Sequence, residues 1–388
     1  MPPKAATRGR SNGAAAAMPV VPFTAAAHEH TELAFDETVK LGEGPRALNP
    51  IDVPAFGYMR HILVEVTTVK KGKKAKTKNE DAPWNILSSV QIGDVNGAPI
   101  FGPIDGYGAL WSTIVGGYAG RPDPRVMPFF DDGSESEEPA FLLRVPVEIS
   151  HFDGFGSLAN QNAAASYRVS LALNALGNVF EEGVEESPEL RIRVWLEAWS
   201  LPNETDVNGR PQAEAPPMLD SAQYHSFFQK NTQKGANTVL LVRVGSLIRN
   251  LIIIARNEEG ERSDKVFPNP AILEWDSRKI REDSQVMLEE LLSASVPELK
   301  TRDNGVFAYP LDRSTKNTVG DDTPTLWLPT VQSTRLEVKG SAEEAGSWQI
   351  ITNDVAPVAV QPAERYTEES RTGFHPETAG AGQAGPRG

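Results

Sequence analysis

The chain has 388 residues, a formal net charge of −14, 32 glycines, 30 prolines and no cysteine. Its length suits two domains, because single hydrophobic cores stop growing near about 250–300 residues. The missing thiols exclude disulfides and thiolate metal sites, and the acidic balance argues against general nucleic-acid binding, which needs cationic surface facing phosphates. The glycine and proline content fits many short strands joined by turns.

Residues 1–28 are Ala-, Pro- and Gly-rich with Lys4, Arg8 and Arg10 as early cations. The run Ala14 to Phe23 mimics a secretory signal, but it has no leucine and is broken by Pro19 and Pro22, so a flexible, faintly basic arm is expected. No stretch of about 18 apolar residues occurs, so no segment reads as a membrane-crossing helix. Strands are expected from Leu33 onward.

The sequence is organised around Arg249-Asn250-Leu251-Ile252-Ile253-Ile254-Ala255, which has an echo in Arg60-His61-Ile62-Leu63-Val64-Glu65-Val66. Both copies are rich in Ile, Leu and Val, follow a nearby glycine and lack helix caps, so both are expected to be strands. The echo continues: Ile86-Leu87 and Val90 to Ile100 follow the first copy, and Ile272 to Ile280 follows the second. Helical spacing then appears in Tyr107–Val115 and in Ser284–Leu292, the latter capped by Ser284 or Asp283 with Met287, Leu288, Leu291 and Leu292 as its apolar stripe. Arg191–Trp199 and Arg335–Lys339 are expected to close the two halves. The pattern reads as a duplicated β unit.

Between these landmarks lie the loops. Lys70–Lys78 is a basic run, read as a hairpin tip. Asp94-Val95-Asn96-Gly97 is a turn, with positive φ expected at both Asn96 and Gly97. Asp131 to Glu138 is an acidic surface loop, solvated by default, that could instead hold a cation or pair with the basic run of a neighbouring copy. Phe141–Ile149 gives a strand, and Tyr167–Asn174 and Arg191–Trp199 alternate as half-buried antiparallel strands. Pro202–Pro217 marks a composition break, so the chain divides into an arm (1–28), a first unit (29–201), a linker (202–222), a second unit (223–356) and a tail (357–388). Further strands of the second unit are expected at Gly305–Leu311, Thr325–Leu328, Arg335–Lys339 and Trp348–Thr352.

Catalytic and cofactor motifs are missing. His28-Glu29-His30 has chelating spacing, but such pairs stand on a glycine-preceded strand with a glutamate and a further histidine beyond, whereas this one falls in the weak N-terminal segment, so no metal is expected. No Gly-x-Ser-x-Gly elbow, His-Glu-x-x-His or phosphate loop occurs. The seven tryptophans mostly fall in or near expected strands, where packing is their ordinary role. No catalytic residue, cofactor or metal is assigned.

Two antiparallel units, each with a helix in a connecting loop, suggest an all-β chain of two tandem eight-stranded jelly rolls. In this the sequence resembles the double jelly-roll major capsid proteins of tectivirus-like phages. Pro54 to Val66, Pro83 to Val90 and Asp94 to Ile100 carry the resemblance in the first half. Leu247 to Ile254, Gly305 to Pro310, Trp327 to Thr330 and Thr334 to Val338 carry it in the second. It spans roughly residues 30–355. The resemblance implies a non-enzymatic virion protein: a homotrimer forming pseudo-hexagonal capsomers that tile an icosahedral shell around an internal membrane and double-stranded DNA. It also implies assembly in the host cytoplasm beside penton and minor capsid or membrane proteins. Lys4, Arg8 and Arg10 of an inward-facing arm, and Lys71, Lys73 and Lys74 of the basic loop, are then the candidate membrane or assembly contacts. A carbohydrate-binding or adhesin-type β-sandwich is the alternative reading, followed by a β-sandwich hydrolase.

Overall fold

A computed structural model describes residues 23–25, 27–77, 81–118, 136–151, 153–203, 205, 215–216, 223–241, 245–296, 302–311, 327–330 and 335–355. Ten strands precede residue 200: β1 (Glu29–Lys40), the short β2 (Arg46–Ala47) and β3 (Ile51–Asp52), β4 (Tyr58–Lys70), β5 (Leu87–Gly93), β6 (Pro99–Ile104), β7 (Phe141–Pro146), the short β8 (Leu158–Ala159), β9 (Arg168–Leu173) and β10 (Glu189–Trp199). Nine more follow: β11 (Gln223–Thr232), β12 (Gly235–Leu241), β13 (Leu247–Asn257), β14 (Ala271–Trp275), β15 (Arg278–Asp283), β16 (Val306–Pro310), the short β17 (Leu328–Pro329), β18 (Leu336–Ala342) and β19 (Gly346–Val355). The α-helices among the described residues are α1 (Gly106–Val115), the single turn α2 (Leu176–Val179) and α3 (Gln285–Ser295).

The two halves repeat one connectivity. In the first, β1-β10-β4-β7 form one sheet, and β6-β5-β9 with the broken strand β2/β3 form the other. In the second, β11-β19-β13-β16 and β12-β18-β14-β15 do the same. Counting eight principal strands per half, each sheet pair follows the orders 1-8-3-6 and 2-7-4-5, which is a jelly roll. Even the short extra strands correspond, β8 pairing with β4 and β17 with β13. The molecule is a double jelly roll, and the two halves are called the first and second barrel below.

The echoed segments are the third strand of each barrel, β4 and β13. Their register repeats as well: His61 faces Pro146 on β7, and Asn250 faces Pro310 on β16. Ile62, Val64 and Val66 point into the first core, while Leu251, Ile253 and Ala255 point into the second. The expected period-2 alternation holds in β9 and β10, whose Val169, Leu171, Leu173, Ile192, Val194 and Leu196 are buried.

Several expectations need correction. β18 is the seventh strand of the second barrel, equivalent to β9, and the closing strand equivalent to β10 is β19; alternation alone cannot rank neighbouring strands. Ile272–Ile280 is not one stretch but the β14–β15 hairpin, turned by Asp276 and Ser277 at φ 47° and 65°. These two residues take the left-handed conformation without the usual Asn-Gly signature. Within the Asp94–Gly97 turn between β5 and β6 only Gly97 has positive φ (86°). Asp94 closes that turn by accepting from the amides of Asn96 and Ala98, each at 2.8 Å, so one left-handed residue suffices. The basic run is not a hairpin tip, because β4 and β5 lie in different sheets. Glu29 and His30 open β1, with His28 just before it, so, against expectation, the pair does not lie in a weak segment.

Candidate functional surfaces

One sheet runs through both barrels. β6, the edge of the first barrel's second sheet, pairs in parallel with β11, the edge of the second barrel's first sheet, at Phe101 and His225. Helix α1 then lies across the outer face of the second barrel. Asp105 caps it by accepting from the Gly108 amide at 2.6 Å, and all ten helical residues are buried. A helix covered on every side has no need of a polar face, and Gly-Tyr-Gly-Ala-Leu-Trp-Ser-Thr-Ile-Val carries no charge. Ile252, Ile254, Val306, Ala308 and Ile351 of the second barrel therefore share one core with the first. This explains why β13 is apolar on both faces.

Polar side chains fix the orientation of this junction. Arg249, 1 % exposed, donates to the Tyr118 hydroxyl at 2.9 Å and to the Gly116 carbonyl at 3.0 Å. Gln223 donates to the Tyr118 hydroxyl at 3.2 Å and to the Val147 carbonyl at 2.7 Å. At the far end, Asp81 receives Arg262 Nε at 2.7 Å and lies 2.6 Å from Arg256 Nη1. Tyr107 donates to Asp303 at 2.5 Å with the Arg262 guanidinium 4.8 Å from its ring centre. Burial holds the Tyr107 phenol well above its ordinary range, so it remains a donor.

A second buried node sits inside the first barrel. Glu148, fully buried, accepts from Arg60 Nε and Trp199 Nε1, each at 2.8 Å, and from Ser157 at 3.1 Å. Arg60 stacks 4.0 Å over the Trp199 ring. Desolvation opposes its charge, but the Glu148 and Glu29 carboxylates outweigh that and raise its pKa. Arg60 and Arg249, the matching first residues of the echo, are thus both buried and do different work.

The basic loop is tied down within its own chain. Lys70 lies 2.6 Å from Glu186, and Lys73 and Lys74 lie 2.5 and 2.6 Å from Glu185. Lys71 pairs with Glu138. Backbone bonds join Lys73 to Glu185 and Glu186, while Ala75 is fully buried. The described end of the acidic stretch, Ser136 to Glu138, meets this loop, with Glu137 accepting from the Thr77 amide at 3.1 Å. The side chains of Lys71, Lys73 and Lys74 remain more than half exposed. Lys4, Arg8 and Arg10 lie outside the described residues, as do Lys78, Asp131 to Glu135 and the tail.

The outer face of β1-β10-β4-β7 carries an open groove of about 500 Å³ lined by Thr31, Leu63, Glu65, Thr67, Phe141, Leu142 and Trp195. Leu33 and Leu142 are 41 % and 46 % exposed. Histidine chemistry gains no support: among the described residues no three His, Asp or Glu side chains are grouped as a metal site, and His30 is stacked on Phe56 at 3.8 Å. Sequence reasoning missed Asp81, Tyr118, Arg256 and Arg262 at the junction. No local pattern marks them, because each is defined by a partner more than 90 residues away in the chain.

No protein-family model matches the sequence, and no curated protein matches it. The fold, by contrast, has clear counterparts. The crystal structure of the STIV MCP aligns with a TM-score of 0.59 at 13 % identity, over 85 % of this chain and 97 % of that one. A chain in the atomic structure of Sulfolobus Turreted Icosahedral Virus aligns with a TM-score of 0.58 at 13 % identity, over 89 % and 95 %. The PBCV-1 virus capsid gives 0.53 at 9 % identity, over 84 % and 93 %. The double jelly-roll architecture expected from the sequence is borne out at the level of the fold.

Proposed function

We propose that this chain is the major capsid protein of an icosahedral virion. The observation that carries the reading is the exact repetition of the 1-8-3-6/2-7-4-5 connectivity in two barrels fused through one sheet. It is supported by near full-length alignment to chains solved as virus capsid components. Such a chain supplies rigid β units for tiling and needs no reaction centre. In this reading residues 29–201 and 223–356 are the tiling units, and three copies place six barrels in a pseudo-hexagonal capsomer. The arm with Lys4, Arg8 and Arg10 faces an internal membrane enclosing double-stranded DNA, and Lys71, Lys73 and Lys74 meet neighbouring capsomers. Penton and minor proteins complete the shell.

Multi-angle light scattering of the purified protein tests the capsomer: the expected mass is that of three chains, and a clean monomer overturns it. Negative-stain microscopy of expressing cells should show hexagonal capsomers or shells. Deleting residues 1–22, which removes Lys4, Arg8 and Arg10 and keeps the buried Phe23, should release assembled particles from anionic vesicles, and unchanged vesicle binding would remove the membrane role of the arm.

A further inference from the structure

The internal junction predicts an external one. Matched through their strand registers, the residues of β13, β16, β19 and β11 that receive α1 have counterparts on the first barrel. Ile252 faces Ile351, as Leu63 faces Trp195. Ile254 faces Val306, as Glu65 faces Leu142. Phe227 faces Ile351, as Leu33 faces Trp195. The open groove at Leu63, Leu142 and Trp195, with Leu33 beside Trp195, is therefore the same surface that the second barrel buries under α1.

The complementary half is also present and uncovered. Helix α3 occupies the place in the second barrel that α1 occupies in the first, between the fifth and sixth principal strands. Its cap Ser284 matches Asp105, since each accepts from the amide three residues on. Val286 and Met287 then correspond to Tyr107 and Gly108. Tyr107 is bonded to Asp303 across the junction, and a Cβ on Gly108 would stand 2.8 Å from Ile351 Cδ1. Val286 and Met287 are 75 % and 55 % exposed, which is unusual for two adjacent large apolar residues on a helix.

Resting on the capsid reading, we infer that the first-barrel groove is the docking site for helix α3 of a second copy of this chain. Val286 and Met287 of that copy enter between Leu33, Leu63, Leu142 and Trp195. The contact is head-to-tail, so it leaves one free groove and one free helix at each step until a ring closes. The groove is more polar than its internal counterpart, with Glu65 in place of Ile254. That fits a face that must stay wet before assembly, whereas Ile254 is covered as soon as the chain folds.

The absence of native cysteine makes the test direct. A chain carrying Leu142→Cys and Met287→Cys is oxidised in the purified oligomer and run under denaturing conditions. Cross-linked dimers and trimers are expected, and each single-cysteine variant should give neither. Separately, Met287→Glu and Leu142→Glu, both at exposed positions, should each shift the scattering mass from three chains toward one while leaving the circular dichroism spectrum unchanged, with Tm lowered only by the lost association. A trimer that survives both substitutions, with no intermolecular cross-link, overturns this docking surface and leaves the capsid reading standing. Cross-links confined to single chains overturn it too, by showing the groove filled from within. A wild-type monomer that forms no particles removes the docking surface and the capsid reading together.

Discussion

Arg249 of the second barrel donates to the hydroxyl of Tyr118 in the first at 2.9 Å, with its guanidinium 5.3 Å from the centre of that ring. A cation in this position is worth burying only if every donor finds an acceptor, because an unpaired buried charge costs several kcal/mol. The junction between the barrels is thus a fixed joint, set by directional bonds on top of an apolar contact.

Replacing Arg249 with methionine should lower the unfolding free energy by about 2–3 kcal/mol, since charge-assisted hydrogen bonds are lost and the Gly116 carbonyl is left dry. Arg60→Met should cost more, about 3–5 kcal/mol, because it removes the guanidinium from the fully buried Glu148 carboxylate and leaves it only Trp199, Ser157 and the half-exposed His151, 2.6 Å away, as partners. Guanidinium titration of the two variants ranks them. Equal losses would show that the Glu148 node is not held by charge.

Acid sensitivity follows from two buried histidines. Burial, with Arg249 nearby, pushes His225 down to about 3, and burial lowers His61 well below its usual value. Both are neutral in the folded and unfolded chain above about pH 6.5. Below that the unfolded chain takes up protons that the folded one refuses. Stability is therefore full above pH 6.5 and falls toward pH 3 by about 1.4 kcal/mol per pH unit for His225, and His61 adds to the fall in the same direction. His225→Leu should flatten the fall in Tm between pH 6 and 4 relative to wild type; an unchanged slope would dismiss His225 as a contributor.

The two glycines before the echoed strands should behave differently. Gly57 has φ 45°, and a Cβ there would meet the Trp199 carbonyl oxygen at 1.9 Å. Gly245 has φ 91° with open space around it. Gly245→Ala should cost only the backbone preference, about 1–2 kcal/mol, whereas Gly57→Ala must also displace β10 and should sharply reduce soluble yield. Thermal melts and expression levels separate the two.

At the β14–β15 turn, Ser277 holds φ 65° without the freedom of glycine. Ser277→Gly should raise stability by up to about 1 kcal/mol, read as a higher Tm. Asp276 is the wrong residue to change, because its carboxylate accepts from the Arg335 amide at 2.8 Å and from Trp275 at 2.9 Å.

What the sequence by itself determined was the repeat. Strand periodicity, the duplicated Arg-x-Ile/Leu segments and the two helices at matching places are local patterns, and short-range sterics and burial write them directly into residue order. It even held a trace of the junction, since Leu251 to Ala255 is apolar at every position whereas Ile62 to Val66 is interrupted by Glu65. Only the tertiary structure decided which strand closes the second barrel, that the basic loop folds back onto Glu185 and Glu186, and that Asp81 meets Arg256 and Arg262. Those outcomes depend on groups brought together across 100 residues or more, and a side chain carries no local mark of a partner that only the folded chain supplies.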